Sequence, residues 1–248
     1  MQNFIRSYWK TLLFFVIIGL VGGFFVGLYM LDSYPEEIRE QAYAEGLNDF
    51  LFGVITAVQS AGYGLVLGTV GILLAKNIGL WRDERSIKRK PLLFTIIISV
   101  ISGLSLILSD IFFFGKYSEV IANSYAVKPT LPYLIATVTY GAVIEEVMLR
   151  LFMMSLIAFL LKKLVKKEGA GIFIVANIVS ALLFAAGHLP ATVATIGTTP
   201  LIIFRCFLLN GGIGLLFGWL YRKYGLRYAM IAHGGCHVIS KLIWILFI

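Results

Sequence analysis

The sequence predicts an all-α fold: a polytopic transmembrane helix bundle of about seven membrane helices. Three observations predict it. Of 248 residues, 59% are hydrophobic and only 14% are charged, where a soluble domain carries about 25% charged residues. Mean hydropathy is +0.90. The apolar residues gather in runs near the ~20 residues that cross a bilayer. The formal charge of +8 clusters in the short loops between those runs, which argues against nucleic acid and for a lipid bilayer as partner. Cys206 and Cys236 lie in or beside apolar segments, so no disulfide framework is implied. With no internal repeat or linker, residues 1–248 read as a single integral membrane domain. Its N-terminal part, 1–129, carries helices 1–3, and its core is 130–248.

The segments follow in order. The first, about 11–31, is preceded by Arg6 and Lys10 and resembles a signal peptide in charge. It is too long for one and no small-residue cleavage site follows, so a retained helix is expected. Its Gly19, Gly22 and Gly23 suit close helix packing. The acidic stretch from Asp32 to Asp49 is a solvated loop or a short surface helix. Segments at about 50–75 and 92–114 follow, with Asp110 near the outer end of the latter. The fourth, about 131–161, is too long for a perpendicular span and should tilt, kink or run into the interface. The fifth, about 171–188, is expected to close at Leu189-Pro190. The sixth and seventh are about 200–221 and 226–247. Within them, Arg205 lies close enough to the outer surface to snorkel, and Asn210 is a candidate to line a site.

Orientation follows from lysine and arginine in the loops. Arg6 and Lys10, six cations between Lys76 and Lys90, four between Lys162 and Lys167, and Arg222, Lys223 and Arg227 fall on one side. Arg39, Lys116 and Lys128 fall on the other. The N-terminus is therefore expected in the cytoplasm and the C-terminus outside, in a plasma membrane of bacterial or archaeal type.

The stretch with chemical content is Tyr140 to Arg150, Y-G-A-V-I-E-E-V-M-L-R. An ionisable side chain at membrane depth costs about 2.5–3.5 kcal/mol on insertion scales, so it is rarely idle. On an α-helix Glu146 and Arg150 share a face and can pair, while Glu145 points about 100° away and can face a cavity. Gly141, one turn earlier, leaves space beside it. The bland alternative is a buried charge network that holds helices together. All three histidines, His188, His233 and His237, lie in or at the ends of membrane segments. His233 and His237 are four apart and share a helix face, a spacing that suits a shared metal or a shared oxyanion. Cys236 is out of phase with that face. A carboxylate that takes a proton from water, beside imidazoles that bind a metal or steady an oxyanion, leads to hydrolysis of an amide.

These residues carry a family resemblance. Glu145-Glu146-x-x-x-Arg150, then Phe184-x-x-x-His188, then His233-x-x-x-His237, resembles the ordered motifs of the CPBP family, the CAAX protease and bacteriocin-processing (Abi) enzymes with the type II CAAX prenyl endopeptidases among them. The run from Phe207 to Tyr221, with Gly225 and Ala229, also looks like the family's last core helices. The resemblance covers about residues 130–240. It implies an intramembrane endopeptidase acting on a membrane-associated protein or peptide substrate. It also implies that Glu145 is the base and that His188, His233 and His237 are catalytic, with Glu146 and Arg150 supporting. The family commonly has Asn where this chain has His237; an imidazole there still offers a donor. The resemblance favours a metal-free glutamic mechanism without a cofactor. Zinc held by His188, His233 and His237 is the alternative.

Two other classes stay open at this stage: an ion- or proton-coupled transporter using the same carboxylates and histidines, and a non-catalytic membrane immunity or scaffold protein. A transporter fits less well, because no inverted repeat is visible. Depth is the awkward point. At about 1.5 Å per residue, Glu145 and His233 reach matching levels, whereas His188 falls near the outer face. A conical, water-filled cavity between the fourth, fifth and seventh helices is the expected site.

Overall fold

The protein is described by a computed structural model covering residues 2–83, 86–166 and 169–248. Arg85 and Lys167, counted above among the loop cations, lie outside the described residues. Seven long helices occur among those residues: α1 (Gln2–Ser33), α3 (Asp49–Asn77), α4 (Arg89–Tyr117), α6 (131–165), α7 (Ala170–Thr195), α8 (Pro200–Tyr224) and α9 (Leu226–Phe247). Two short ones, α2 (Glu36–Ala44) and α5 (Glu119–Asn123), ride in the loops, so the acidic stretch after α1 does form a surface helix. No strand occurs among the described residues. Six of the long helices are apolar enough to cross a membrane on length and composition. The seventh, α6, is as long but carries Glu145, Glu146 and Arg150 in its middle.

Local chemistry sets the helix starts. The Asn48 side chain accepts from Leu51 N at the head of α3. Thr130 and Thr199 do the same for Tyr133 N and Ile202 N, each followed by a proline in the first turn. Between α8 and α9 the chain turns on Gly225 at φ 104°, a left-handed conformation that a side chain would strain.

The bundle is built around α6, whose Ile144, Val147, Leu151 and Met154 are fully buried. It packs against α1, α3, α7, α8 and α9. Lipid is as apolar as leucine, so backbone proximity rather than hydrophobicity drives this packing. Accordingly α1 meets α3 and α6 through glycines: a Cβ on Gly22 would stand 2.6 Å from the Tyr140 backbone nitrogen, and one on Gly19 2.7 Å from the Ser60 carbonyl. The outward faces keep exposed apolar side chains such as Val58, Phe112 and Leu164.

Three expectations are corrected. First, α7 does not close at Leu189-Pro190; it runs through Pro190 to Thr195. A proline inside a membrane helix is tolerated where neighbours re-satisfy the freed groups, and here the added turns pack on the start of α8, with Thr192 Oγ1 donating to Cys206 Sγ at 3.6 Å. Second, α6 is not uniformly α-helical. It has i→i+5 hydrogen bonding over Thr137–Glu145 and Val147–Met154, so faces counted at about 100° per residue do not hold there. Third, Arg205 does not snorkel. It makes a two-armed ion pair with Asp110, which is 1% exposed and also accepts from Tyr125 Oη at 2.6 Å.

Candidate active site

Four helices supply the site. Helix α6 carries Glu145 and Glu146 at the junction of its two i→i+5 stretches. Glu146 is fully buried and Arg150 is 1% exposed; their atoms Oε1 and Nη1 stand 3.2 Å apart. Arg150 also donates through Nη2 to the Gly214 carbonyl of α8 at 3.0 Å. Its guanidinium lies over the Phe184 ring at 4.6 Å and the Phe217 ring at 5.7 Å. Burying such a charge is costly without partners; these four offset that cost, although Nη1 makes no hydrogen bond among the described residues.

Glu145 has a different environment. Its side chain is 19% exposed, and it faces two imidazoles: His188 Nε2 of α7 at 4.0 Å and His233 Nε2 of α9 at 3.8 Å. Both gaps are too long for direct hydrogen bonds. The far nitrogens of those rings are engaged. His188 Nδ1 lies 2.9 Å from the Phe184 carbonyl, and His233 Nδ1 lies 2.9 Å from Glu146 Oε1. A carbonyl and a carboxylate only accept, so in both rings Nδ1 carries the hydrogen. Nε2 of each ring then faces Glu145, and in the neutral form of the ring it presents a lone pair there.

Aromatic contacts fix the rings. Phe184 meets His188 edge-on at 4.6 Å and Phe217 stacks on His233 at 4.7 Å. His237 follows one turn after His233, with ring centroids 5.0 Å apart. It packs against α6 where Gly141 lacks a side chain; a Cβ there would lie 3.3 Å from His237 Nε2. His237 Nδ1 is buried and has no hydrogen-bond partner among the described residues. Beside these rings is a narrow pocket of about 40 Å³, lined by His188, His233 and His237 with Asn210, Cys236 and Phe217. That is room for a water or two.

The structure therefore brings Glu145, His188 and His233 together, sets Glu146 against Arg150, and puts His237 at the pocket wall. It also locates what sequence reasoning missed. The pocket draws on α4 and α8 as well as α7 and α9, none of its described lining residues comes from α6, and it is narrow rather than conical. Cys236, set aside on helical phase, is in its lining. Asn210 lines it too, but its amide nitrogen donates to the Cys206 carbonyl at 3.0 Å and to Cys206 Sγ at 3.5 Å. Phe217 and the Gly214 carbonyl carried no sequence signal that separates them from lipid-facing or packing residues. The link from Glu146 to His233 was also unforeseen. Because α7 continues to Thr195, His188 sits seven residues before its end, about 10 Å in at 1.5 Å per residue. That removes part of the mismatch in depth.

Among the described residues, no group of three His, Cys, Asp or Glu side chains is arranged to hold a metal ion. The three histidines do not converge: His188 and His233 aim Nε2 at Glu145, while His237 sets its Nε2 against Gly141.

No curated protein and no solved structure matches the chain. Its segment 127–239 does match one family profile, described as type II CAAX prenyl endopeptidase Rce1-like. The matched region begins just before α6 and ends within α9, and so takes in every residue of the site above. Over residues 127–239 the chain thus carries a domain of the Rce1-like, type II CAAX prenyl endopeptidase family.

Proposed function

We propose that the chain is an intramembrane endopeptidase that hydrolyses a peptide bond of a membrane-associated protein or peptide, with Glu145 as the base that activates water. The supporting observation is the pair of gaps at Glu145. Oxygen–nitrogen separations of 4.0 and 3.8 Å are too long for a direct hydrogen bond and come within about 0.6 Å of the roughly 4.4 Å that one water spans with two hydrogen bonds of about 2.8 Å. In that position the water gives one proton to Glu145 and directs the other to a lone pair on His188 or His233 Nε2. Its oxygen then attacks the substrate carbonyl carbon. Glu145 passes the proton to the leaving amine as the carbon–nitrogen bond breaks.

Since His188 and His233 present acceptors, they position the water. The donor for the carbonyl oxyanion falls to His237, whose Nδ1 has no other partner among the described residues. Glu146 and Arg150 are the brace: they hold His233 through its Nδ1 and take no part in proton transfer. This reading needs no metal. The loop cations favour a cytoplasmic N-terminus and an external C-terminus in a plasma membrane.

The test is Glu145→Gln in the full chain, assayed on a membrane-anchored peptide that the wild type cleaves. The amide keeps the shape but accepts no proton from water, so cleavage should fall by at least 10²-fold while stability changes little. Cleavage at the wild-type rate by Glu145→Gln would overturn the assignment. Stoichiometric zinc in active, purified protein, lost together with activity on chelation, would overturn the metal-free reading.

A further inference from the structure

A second cavity, larger than the pocket at the histidines, lies away from the carboxylates. It is a groove of about 840 Å³ between the N-terminal half of α1 and the start of α9. Both helices pack on the first i→i+5 stretch of α6 without a substantial interface with each other. The middle of α6, at Val138, Ala142 and Val143, is therefore the floor. Phe14 and Ile231, both partly exposed, line the sides. The groove shares no residue with the pocket at the histidines. The wall between them is tight, since a Cβ on Gly234 would lie 3.2 Å from Ala142 Cβ.

The two ends of the groove differ in chemistry. The deep end is apolar. The mouth has the cations Lys10, Arg82 and Arg227, all exposed, with Ser7 beside them. Among the described residues the one acid in the lining is Asp83, which accepts from Trp81 Nε1 at 2.6 Å and from Tyr8 Oη at 3.5 Å. Arg82 gives one hydrogen bond to the Arg222 carbonyl at 3.3 Å, which leaves other guanidinium N–H groups for a ligand. From Arg227 to Gly234 along α9 is about 10 Å at 1.5 Å per residue. The groove thus has a cationic mouth at the level of the loops and an apolar slot running about a third of the way into the hydrocarbon.

We propose that this groove is a binding site for an anionic phospholipid of the bilayer. Its phosphate lies against Lys10, Arg82 and Arg227, and the upper part of one acyl chain lies over Val138, Val143 and Ile231. Basic pockets between transmembrane helices at the cytoplasmic surface recognise anionic headgroups through charge, and the acyl chain fills a slot that would otherwise leave the floor of α6 poorly packed. The lipid would brace α1 and α9 on α6 from behind the Ala142–Gly234 wall. It is a structural ligand and not a substrate, because neither Glu145 nor any histidine lines the groove.

The test is lipid retention, which is independent of any cleavage. Full-length protein is reconstituted in bilayers of equal phosphatidylglycerol and phosphatidylcholine with matched chains, extracted gently, and analysed by native mass spectrometry. The wild type should keep phosphatidylglycerol in preference by tenfold or more. Each cation near the surface is worth about fivefold, so Arg82→Gln with Arg227→Gln should abolish the preference, and the milder Lys10→Gln should cut it about fivefold. Ile231→Trp, at an exposed wall position, should lower retention of both lipids by filling the slot. Equal retention of the two lipids by the wild type would overturn the proposal. So would a preference that survives Lys10→Gln and the double substitution, or retention unaffected by Ile231→Trp.

Discussion

Arg150→Met is the sharpest test of a division between brace and base. In the folded protein the guanidinium has four partners: Glu146 Oε1 at 3.2 Å, the Gly214 carbonyl at 3.0 Å, and the rings of Phe184 and Phe217 at 4.6 and 5.7 Å. Methionine keeps much of the stem but removes the charge and both polar contacts. Glu146 is then left in a fully buried position, with His233 Nδ1 as its remaining partner and Oε2 unpartnered among the described residues. Breaking one side of a buried ion pair costs on the order of 3–5 kcal/mol, most of it from the stranded charge. Glu146→Gln should cost less, since the guanidinium keeps the Gly214 carbonyl and two aromatic faces worth about 1–2 kcal/mol together. The double variant, with neither charge, should recover much of the loss, and the two single costs should fail to add by about 1–3 kcal/mol. Equilibrium unfolding in mixed micelles, followed by circular dichroism, measures all four corners of this cycle. If Arg150→Met stays within 1 kcal/mol of the wild type, or if the double variant loses the full sum, the brace does not exist as described.

Other outcomes follow from the same geometry. His237→Asn retains a hydrogen-bond donor at the pocket wall and should keep cleavage within about tenfold, whereas His237→Ala should lose 10²–10³ in kcat; equal loss in both would remove His237 from the oxyanion role. Gly22→Ala places a Cβ 2.6 Å from the Tyr140 backbone nitrogen, so α1 must shift, and unfolding should become easier by about 1–3 kcal/mol. Tyr125, in the loop after α5, donates to the buried Asp110. Burial, and then the Asp110 charge, raise its phenol pKa above the ordinary value. A raised folded-state pKa means that the contribution is complete below about pH 10, the unfolded value, and is lost as pH rises above it. Tyr125→Phe should therefore cost about 1.5–3 kcal/mol at neutral pH and flatten the decline of stability above pH 10, both read from unfolding curves taken against pH.

The parts of this fold that could be read from the sequence are those where the bilayer narrows the choices. Seven long apolar or mostly apolar runs become seven long helices because a backbone in hydrocarbon has no other way to satisfy its polar groups. Glu145, Glu146 and Arg150 stood out because charge at that depth is costly. The spacing of His233 and His237 translated directly into neighbouring rings because α9 is regular throughout. Elsewhere a local rule was overridden by a tertiary contact. Pro190 signals a helix end on its own, but packing on α8 carries the helix to Thr195. Arg205 signals a snorkelling cation, but Asp110, 95 residues away in sequence, captures it. The angular positions of Glu145 and Glu146 depend on i→i+5 bonding in α6, and no propensity in the residues announces it.

Within that irregular stretch the two adjacent glutamates have separate surroundings. Side by side, both carboxylates would compete for the same cation, and a base held by a permanent positive partner is poorly placed to accept a proton. Here Arg150 is taken up by Glu146, the Gly214 carbonyl and two aromatic faces, so it does not reach Glu145. His233 links the two sites without merging them. Its Nδ1 is committed to Glu146 and its Nε2 faces Glu145, so the contact with Glu146 sets the tautomer of a ring that faces Glu145. A change at Glu146 should accordingly reach the chemistry through His233. Glu146→Gln can still accept from Nδ1 through its carbonyl and so keeps the tautomer, whereas Glu146→Leu removes the acceptor. Cleavage should therefore fall further in Glu146→Leu than in Glu146→Gln, and equal loss in both would show that Glu146 acts by another route.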